Sequence, residues 1–267
     1  MKIGAAGGIV LLVARSPEKL AEVKAEIEAV GGEAHVHLAD VSHLASCDAL
    51  VSDVIAKHGG VDVLVNNAGR SIRRSIALSY DHFHDFSRTM QLNYFGAVKL
   101  LLGFLPGMRE RRRGHVVNVS SVGVQTNPPR FSAYIASKAA LDAFSRCAAS
   151  ELVDDGVTIT TIYMPLVRTE MIAPTKIYQA FPTISPEEAA DMICAAIRKR
   201  PKRIATRLGI LGEVAYALAP KAVDVVLNTA YKLFPDSAAA KGDSSGKKEE
   251  VSNEAVAFAH LIPGVHW

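Results

Sequence analysis

Val61-Asp-Val-Leu-Val-Asn-Asn-Ala-Gly69 decides the fold. Its apolar half is too short for a helix, and it stops at two amides, an alanine and a glycine. A short apolar run closed by turn residues reads as a strand, Val61 to Val65, buried on both faces. Working outward, Ile9 to Ala14, Ala34 to Leu38, Val116 to Ser120 and Val157 to Tyr163 have the same character. Helical patterns lie between them. Ser16 and Pro17 suit an N-cap and first turn, and Leu20, Val23, Ile27 and Val30 make one apolar face ending at Gly31-Gly32. Further helices are expected over His43 to Lys57, Asp81 to Leu105 and Phe131 to Val153, from Ser185-Pro-Glu-Glu188 onward, and over Leu208 to Phe234 with a break at Pro220. Strand and helix in alternation imply an α/β fold, a Rossmann-like doubly wound parallel sheet. Such sheets bind ligands beyond the carboxyl ends of their strands. Arg15, Asp40, Asn67, Ser121 and Pro165 all fall at those ends.

Composition narrows the class. The chain has 267 residues, 49% hydrophobic and 21% charged, enough for one large domain with its own core. A net charge of +3 does not argue for nucleic acid, and the basic clusters Arg109 to Arg113 and Arg198 to Arg203 lack interleaved aromatics. Each ends a helix, where cations suit the dipole. Three cysteines at no metal-like spacing fit a reduced, cytoplasmic protein without a metal site. No apolar run approaches the roughly 20 residues of a membrane helix. Residues 1–235 are expected to form the domain. Residues 236–254, rich in Ala, Gly, Ser, Lys and Glu, read as a flexible linker, and 255–267 as an apolar tail.

The chemistry is concentrated in Phe131-Ser-Ala-Tyr-Ile-Ala-Ser-Lys138. Tyr134 and Lys138 are four apart, hence on one helix face. A lysine cation beside a phenol is expected to lower the phenol's pKa from about 10 and make it a usable acid and base. Ser121 ends a strand thirteen residues earlier.

Together these motifs resemble the short-chain dehydrogenase/reductase family over roughly residues 1–206. The resemblance implies hydride transfer between a nicotinamide and a carbonyl, with Ser121, Tyr134 and Lys138 as catalytic triad and Asn93, in Gln91-Leu-Asn-Tyr94, completing a tetrad through a water relay. It places Asp40 and Val41 at the adenine and makes Asn67-Ala68-Gly69 a cofactor-lining turn. Pro165, Val167 and Thr169 would lie over the nicotinamide, with Leu166 where the family has glycine. Val13-Ala-Arg-Ser16 carries no acid to repel a 2′-phosphate, and Arg15 can pair with one, so NADP(H) is the expected cofactor. The family's first strand and Gly-rich phosphate turn have no counterpart here. Met1 to Ala6 aligns with the latter half of the following helix, so the sheet is expected to be truncated before the second strand, with an unpaired inner edge.

A finer resemblance, to the reductase portion of bacterial multidomain fatty acyl-CoA reductases, rests on Asn67 to Arg74, Val124 to Arg130, Met164 to Thr169 and Gly264-Val-His-Trp267. It implies a fatty acyl-CoA or fatty aldehyde as small-molecule lipid substrate. Arg70, Arg73 and Arg74 become candidates for the coenzyme A phosphates, and Leu208 to Phe234 a candidate cover for the lipid chain. Peripheral membrane contact and a homodimer or homotetramer are further expectations. The alternatives are a 3-oxoacyl, steroid or other secondary-alcohol dehydrogenase/reductase, or a truncated chain that does not turn over.

Overall fold

The computed structural model describes residues 1–169 and 183–241. The expected tail, 255–267, and the linker from residue 242 on lie outside them. The elements run in order: α1 (Lys2–Ala5), β1 (Ile9–Ala14), α2 (Pro17–Ala29), β2 (Glu33–Leu38), α3 (Leu44–His58), β3 (Val63–Asn66), α4 (Phe83–Met90), a π-helical turn (Gln91–Gly96) and α5 (Ala97–Glu110). There follow β4 (Gly114–Ser121), α6 (Gly123–Thr126), α7 (Ser132–Glu151), β5 (Val157–Met164), α8 (Pro186–Lys199), β6 (Arg203–Ile204), α9 (Arg207–Leu218), α10 (Pro220–Leu233) and α11 (Ala238–Lys241).

Local chemistry explains the boundaries. The Ser16 hydroxyl accepts from Lys19 N–H with Pro17 opening α2. Ser185 and Glu188 form a reciprocal capping box at the start of α8. Pro220 separates α9 from α10, as its missing N–H demands.

Every strand pairing is parallel, but the strands form two sheets, β1-β2 and β3-β4-β5-β6. The expected unpaired inner edge is present: among the described residues no backbone pairing joins β1 to β3, and Ile9 on β1 is 60% exposed. What joins the halves is side-chain packing. Leu11 of β1 and Ala39 after β2 enter the core made by Cys47, Leu50 and Val54 of α3, Leu101, Phe104 and Met108 of α5, and Val116 and Ile159 of the larger sheet. Val117, next to Val116, points to the opposite face and meets Ile162, Ile184, Met192 and Ala196. Helices therefore cover both faces, as a doubly wound sheet requires.

Two features differ from expectation. The helix foreseen over Asp81 to Leu105 runs from Phe83 to Glu110 and contains the π turn, which periodicity does not reveal. β6, two residues long, was below the reach of pattern reading. Among the described residues no helix is long and apolar enough to cross a membrane.

Gly96 closes the π turn against the loop after β2: a Cβ there would lie 2.1 Å from the Val41 carbonyl oxygen. Gly96→Ala must push these backbones apart, and overpacking of this kind costs about 1–3 kcal/mol. Urea unfolding should show that loss.

Candidate active site

The carboxyl ends of β3 and β4, the π turn and α7 meet at one place. Asn66 ends β3 and donates from Nδ2 to Asn118 Oδ1 at 2.8 Å; Asn118 donates to Ser145 Oγ of α7, also at 2.8 Å. This buried amide chain ties both strands to the helix and satisfies its own polar atoms.

After Asn66 the chain turns through exposed Asn67 and Ala68 to Gly69. Gly69 must be small: a Cβ would sit 3.2 Å from Lys138 Nζ and 3.3 Å from Asn93 Oδ1. The turn thus lies directly over two of the expected site residues. Asn93, 1% exposed, accepts Arg70 N–H at 2.8 Å and donates to Arg70 O and to Ser137 Oγ, each at 2.9 Å. Both its amide protons are used. The described contacts are those of a clamp between the turn and α7.

Lys138 is 4% exposed and donates to Val119 O at 2.7 Å. Burial pulls its ammonium down from 10.5 to about 8. Ser121 Oγ accepts Gly123 N–H at 3.1 Å and is hydrogen-bonded to the Tyr134 phenol. Here one expectation is overturned. The Tyr134 pKa is raised, not lowered: burial pushes it above 10, and the Ser121 hydrogen bond offsets only part.

The adenosine-end candidates lie at the ends of β1 and β2. Arg15 is exposed, its guanidinium 3.7 Å from Asp40. Asp40 accepts from the Ser42 N–H at 2.9 Å and hydroxyl at 2.6 Å, and the hydroxyl bond chiefly holds its carboxyl below the usual range. Val41 follows, its carbonyl against Gly96. Pro165 is buried; Val167 bridges to Ile184, and Thr169 is exposed with its hydroxyl on Val167 O at 3.4 Å. The backbone around Leu166 is fixed by Ile184 N–H on Leu166 O at 2.8 Å, so a leucine is accommodated without a glycine conformation.

The structure brings Ser121, Tyr134, Lys138, Asn93 and Gly69 together and leaves Arg15 and Asp40 as a separate pair. A nicotinamide ribose suits the donor set of the first group, a buried ammonium whose one described partner is a carbonyl, beside the Ser121 and Tyr134 hydroxyls. An adenosine fits the second, with an exposed cation beside it. A Gly-rich pyrophosphate turn is not among the described residues.

Two arginines depart from expectation. Arg73 donates to Phe234 O and Pro235 O at 3.1 and 2.7 Å, and Arg74 donates to Asp85 Oδ2 at 2.9 Å and Ala240 O at 2.6 Å. They pin the C-terminal segment instead of standing ready for substrate phosphates. Asp236 is likewise engaged: its carboxylate lies 3.2 Å from Arg130 Nε and accepts Ser75 N–H at 3.0 Å. The expected linker therefore does not start at 236. Arg130, in the sequence only the end of the stretch Val124 to Arg130, has nothing near it to show that Tyr231 and Asp236 fold back onto it. The cluster Arg109 to Arg113 is spent on Asp155, Asp62 and the Gly59, Val61 and Asp154 carbonyls.

Residues 1–179 match the family model for short chain dehydrogenases. A fatty acyl-CoA reductase of Acinetobacter baylyi is 54% identical over 266 residues, covering 100% of this chain and 89% of that protein. A short-chain dehydrogenase from Streptomyces avermitilis superposes with a TM-score of 0.70 at 29% identity, over 84% of this chain and 90% of that one. A metagenomic short-chain oxidoreductase in complex with NADP gives a TM-score of 0.58 at 35% identity, over 62% and 73%.

The Lys138 shift has a definite sign. Between about pH 8 and 10.5 the folded protein has released this proton while the unfolded chain still holds it, so the group's contribution to stability rises with pH. The stability difference between wild type and Lys138→Met should therefore move in favour of wild type from pH 8 to 10, measured by denaturant midpoints. A constant difference would contradict the burial.

Proposed function

The chain belongs to the short-chain dehydrogenase family, an oxidoreductase using a nicotinamide cofactor, and from that premise we propose that it reduces a fatty acyl-CoA or fatty aldehyde carbonyl with NADPH. The observation that carries the chemistry is the convergence of Ser121, Tyr134 and Lys138 under Gly69. The substrate class draws its support from the fatty acyl-CoA reductase that is 54% identical over this whole chain.

Lys138 and the Gly69 turn would hold the ribose end of a nicotinamide cofactor, which when bound would supply the hydride for the carbonyl carbon. Tyr134 gives its phenolic proton to the carbonyl oxygen as the hydride arrives; an aldehyde becomes the alcohol, and an acyl-CoA becomes a hemithioacetal whose C–S bond then breaks to release the aldehyde and the coenzyme A thiol. A phenol whose pKa is raised by burial is held in the protonated, donating form at neutral pH. Ser121 hydrogen-bonds that oxygen and fixes its place. Lys138, still mostly protonated at neutral pH, binds the ribose and stabilises the phenolate once the proton has left. Asn93 keeps the Arg70 turn and α7 in register. At the far end Arg15, exposed beside Asp40, takes a 2′-phosphate. The exposed Leu211, Leu218, Val225 and Val226 of α9 and α10 give the lipid chain an apolar surface.

Tyr134→Phe should lower NADPH-dependent turnover of a long-chain acyl-CoA or aldehyde by about 10²–10⁴-fold, with NADPH binding, followed by cofactor fluorescence, unchanged. Retained turnover would refute the assigned acid. An intact protein that binds NADPH yet is inert to every fatty acyl-CoA and aldehyde, while reducing a 3-oxoacyl thioester or a steroid, would refute the substrate.

Arg15→Ala removes a charge-assisted contact of about 1.5–3 kcal/mol. Initial-rate kinetics should show the KM for NADPH raised about tenfold or more, with that for NADH unchanged.

A further inference from the structure

Arg130 adopts φ 72°, a left-handed conformation that a non-glycine residue keeps only when its surroundings impose it. It stands two residues before α7 and four before Tyr134, and it is buried. Its surroundings come almost wholly from the other end of the chain. Its Nη1 donates to Tyr231 O at 3.0 Å, and its guanidinium lies 4.0 Å from the centre of the Tyr231 ring. Its Nε faces Asp236 Oδ1 at 3.2 Å, both side chains being at most 10% exposed. The same carboxylate oxygen accepts Ser75 N–H, while Arg130 O accepts Arg74 N–H at 2.7 Å. Asp236 thus joins three segments: the end of α10, the turn before α7, and residues 70–75, which begin where Asn93 clamps Arg70.

We propose that the Asp236–Arg130 pair is a positioning device for the substrate mouth. It holds residues 70–75, the turn at 130 and the end of α10 as one wall, touching neither the reacting carbonyl nor the cofactor. The catalytic helix has its own anchors, Asn93 on Ser137, Lys138 on Val119 and Thr89 Oγ1 on Ala133 O at 3.1 Å. Loss of the lock therefore loosens the wall and leaves the triad standing. The placement of this wall at the substrate rests on the function proposed above; the lock itself rests on the contacts alone.

Hydrogen exchange by mass spectrometry on the full chain tests the lock without any substrate. In Asp236→Ala, peptides covering 70–76 and 128–134 should exchange about tenfold faster, and those of β4 at the wild-type rate. Asp236→Asn keeps an acceptor for Ser75 N–H and should fall between; it serves also where the alanine variant does not fold. In steady-state assays the KM for a long-chain aldehyde should rise about tenfold, with kcat and the KM for NADPH within about twofold of wild type. Asp236→Glu should restore much of the loss. Unchanged exchange at 70–76 in both variants overturns the proposal. So does faster exchange accompanied by a fall in kcat with KM unaltered. A wild-type protein inert to fatty aldehydes would remove the assigned function, while the exchange result would still judge the lock.

Discussion

The carboxamide of Asn93 holds the site together. One side chain takes both backbone groups of Arg70 and the Ser137 hydroxyl, joining the turn after β3 to α7. It can do so because the π turn widens the long helix where Asn93 sits, and because Gly69 and Gly96 carry no side chains to block the approach of turn and loop. Removing any one partner would leave buried polar groups unpaired, which costs more than the bond itself contributes. The positions of Lys138, Tyr134 and Ser121 follow from that clamp and from the parallel register of β4 and β5, which sets Ser121 opposite Met164.

Burial then decides the electrostatics. In water a lysine next to a tyrosine would favour the phenolate. Inside, desolvation penalises both charged forms, and the phenol is kept protonated while the ammonium is drawn toward neutrality. The pair is better described as an acid held ready and a cation that gains a partner when the phenol ionises. The i, i+4 spacing was legible in the sequence; the sign of the shift was not, because it depends on burial supplied by distant segments.

Much of the fold could be read in advance, for a local reason. Parallel strands buried on both faces leave short apolar runs, and Ser16-Pro17 and Ser185-Pro186 announce their helices by capping chemistry. The interrupted sheet was foreseeable too, since Met1 to Gly8 hold no apolar run. What stayed hidden is non-local. Asp236 sits in a stretch whose composition looks solvated, and its partner Arg130 is over a hundred residues away. Arg73 and Arg74 resembled free cations until the C-terminal carbonyls met them. The two-residue β6 and the π turn carry no periodic signature.

The central claim is that this site moves a hydride from NADPH to a fatty carbonyl carbon. Incubation with NADPH deuterated at C4 of the nicotinamide and a long-chain aldehyde, followed by mass spectrometry of the alcohol, tests it most directly. The account predicts one deuterium at C1 of the product when the label is on the transferred face, and none when it is on the other. Alcohol formed without deuterium from either labelled form, or NADPH bound but never oxidised by any fatty carbonyl, would contradict it.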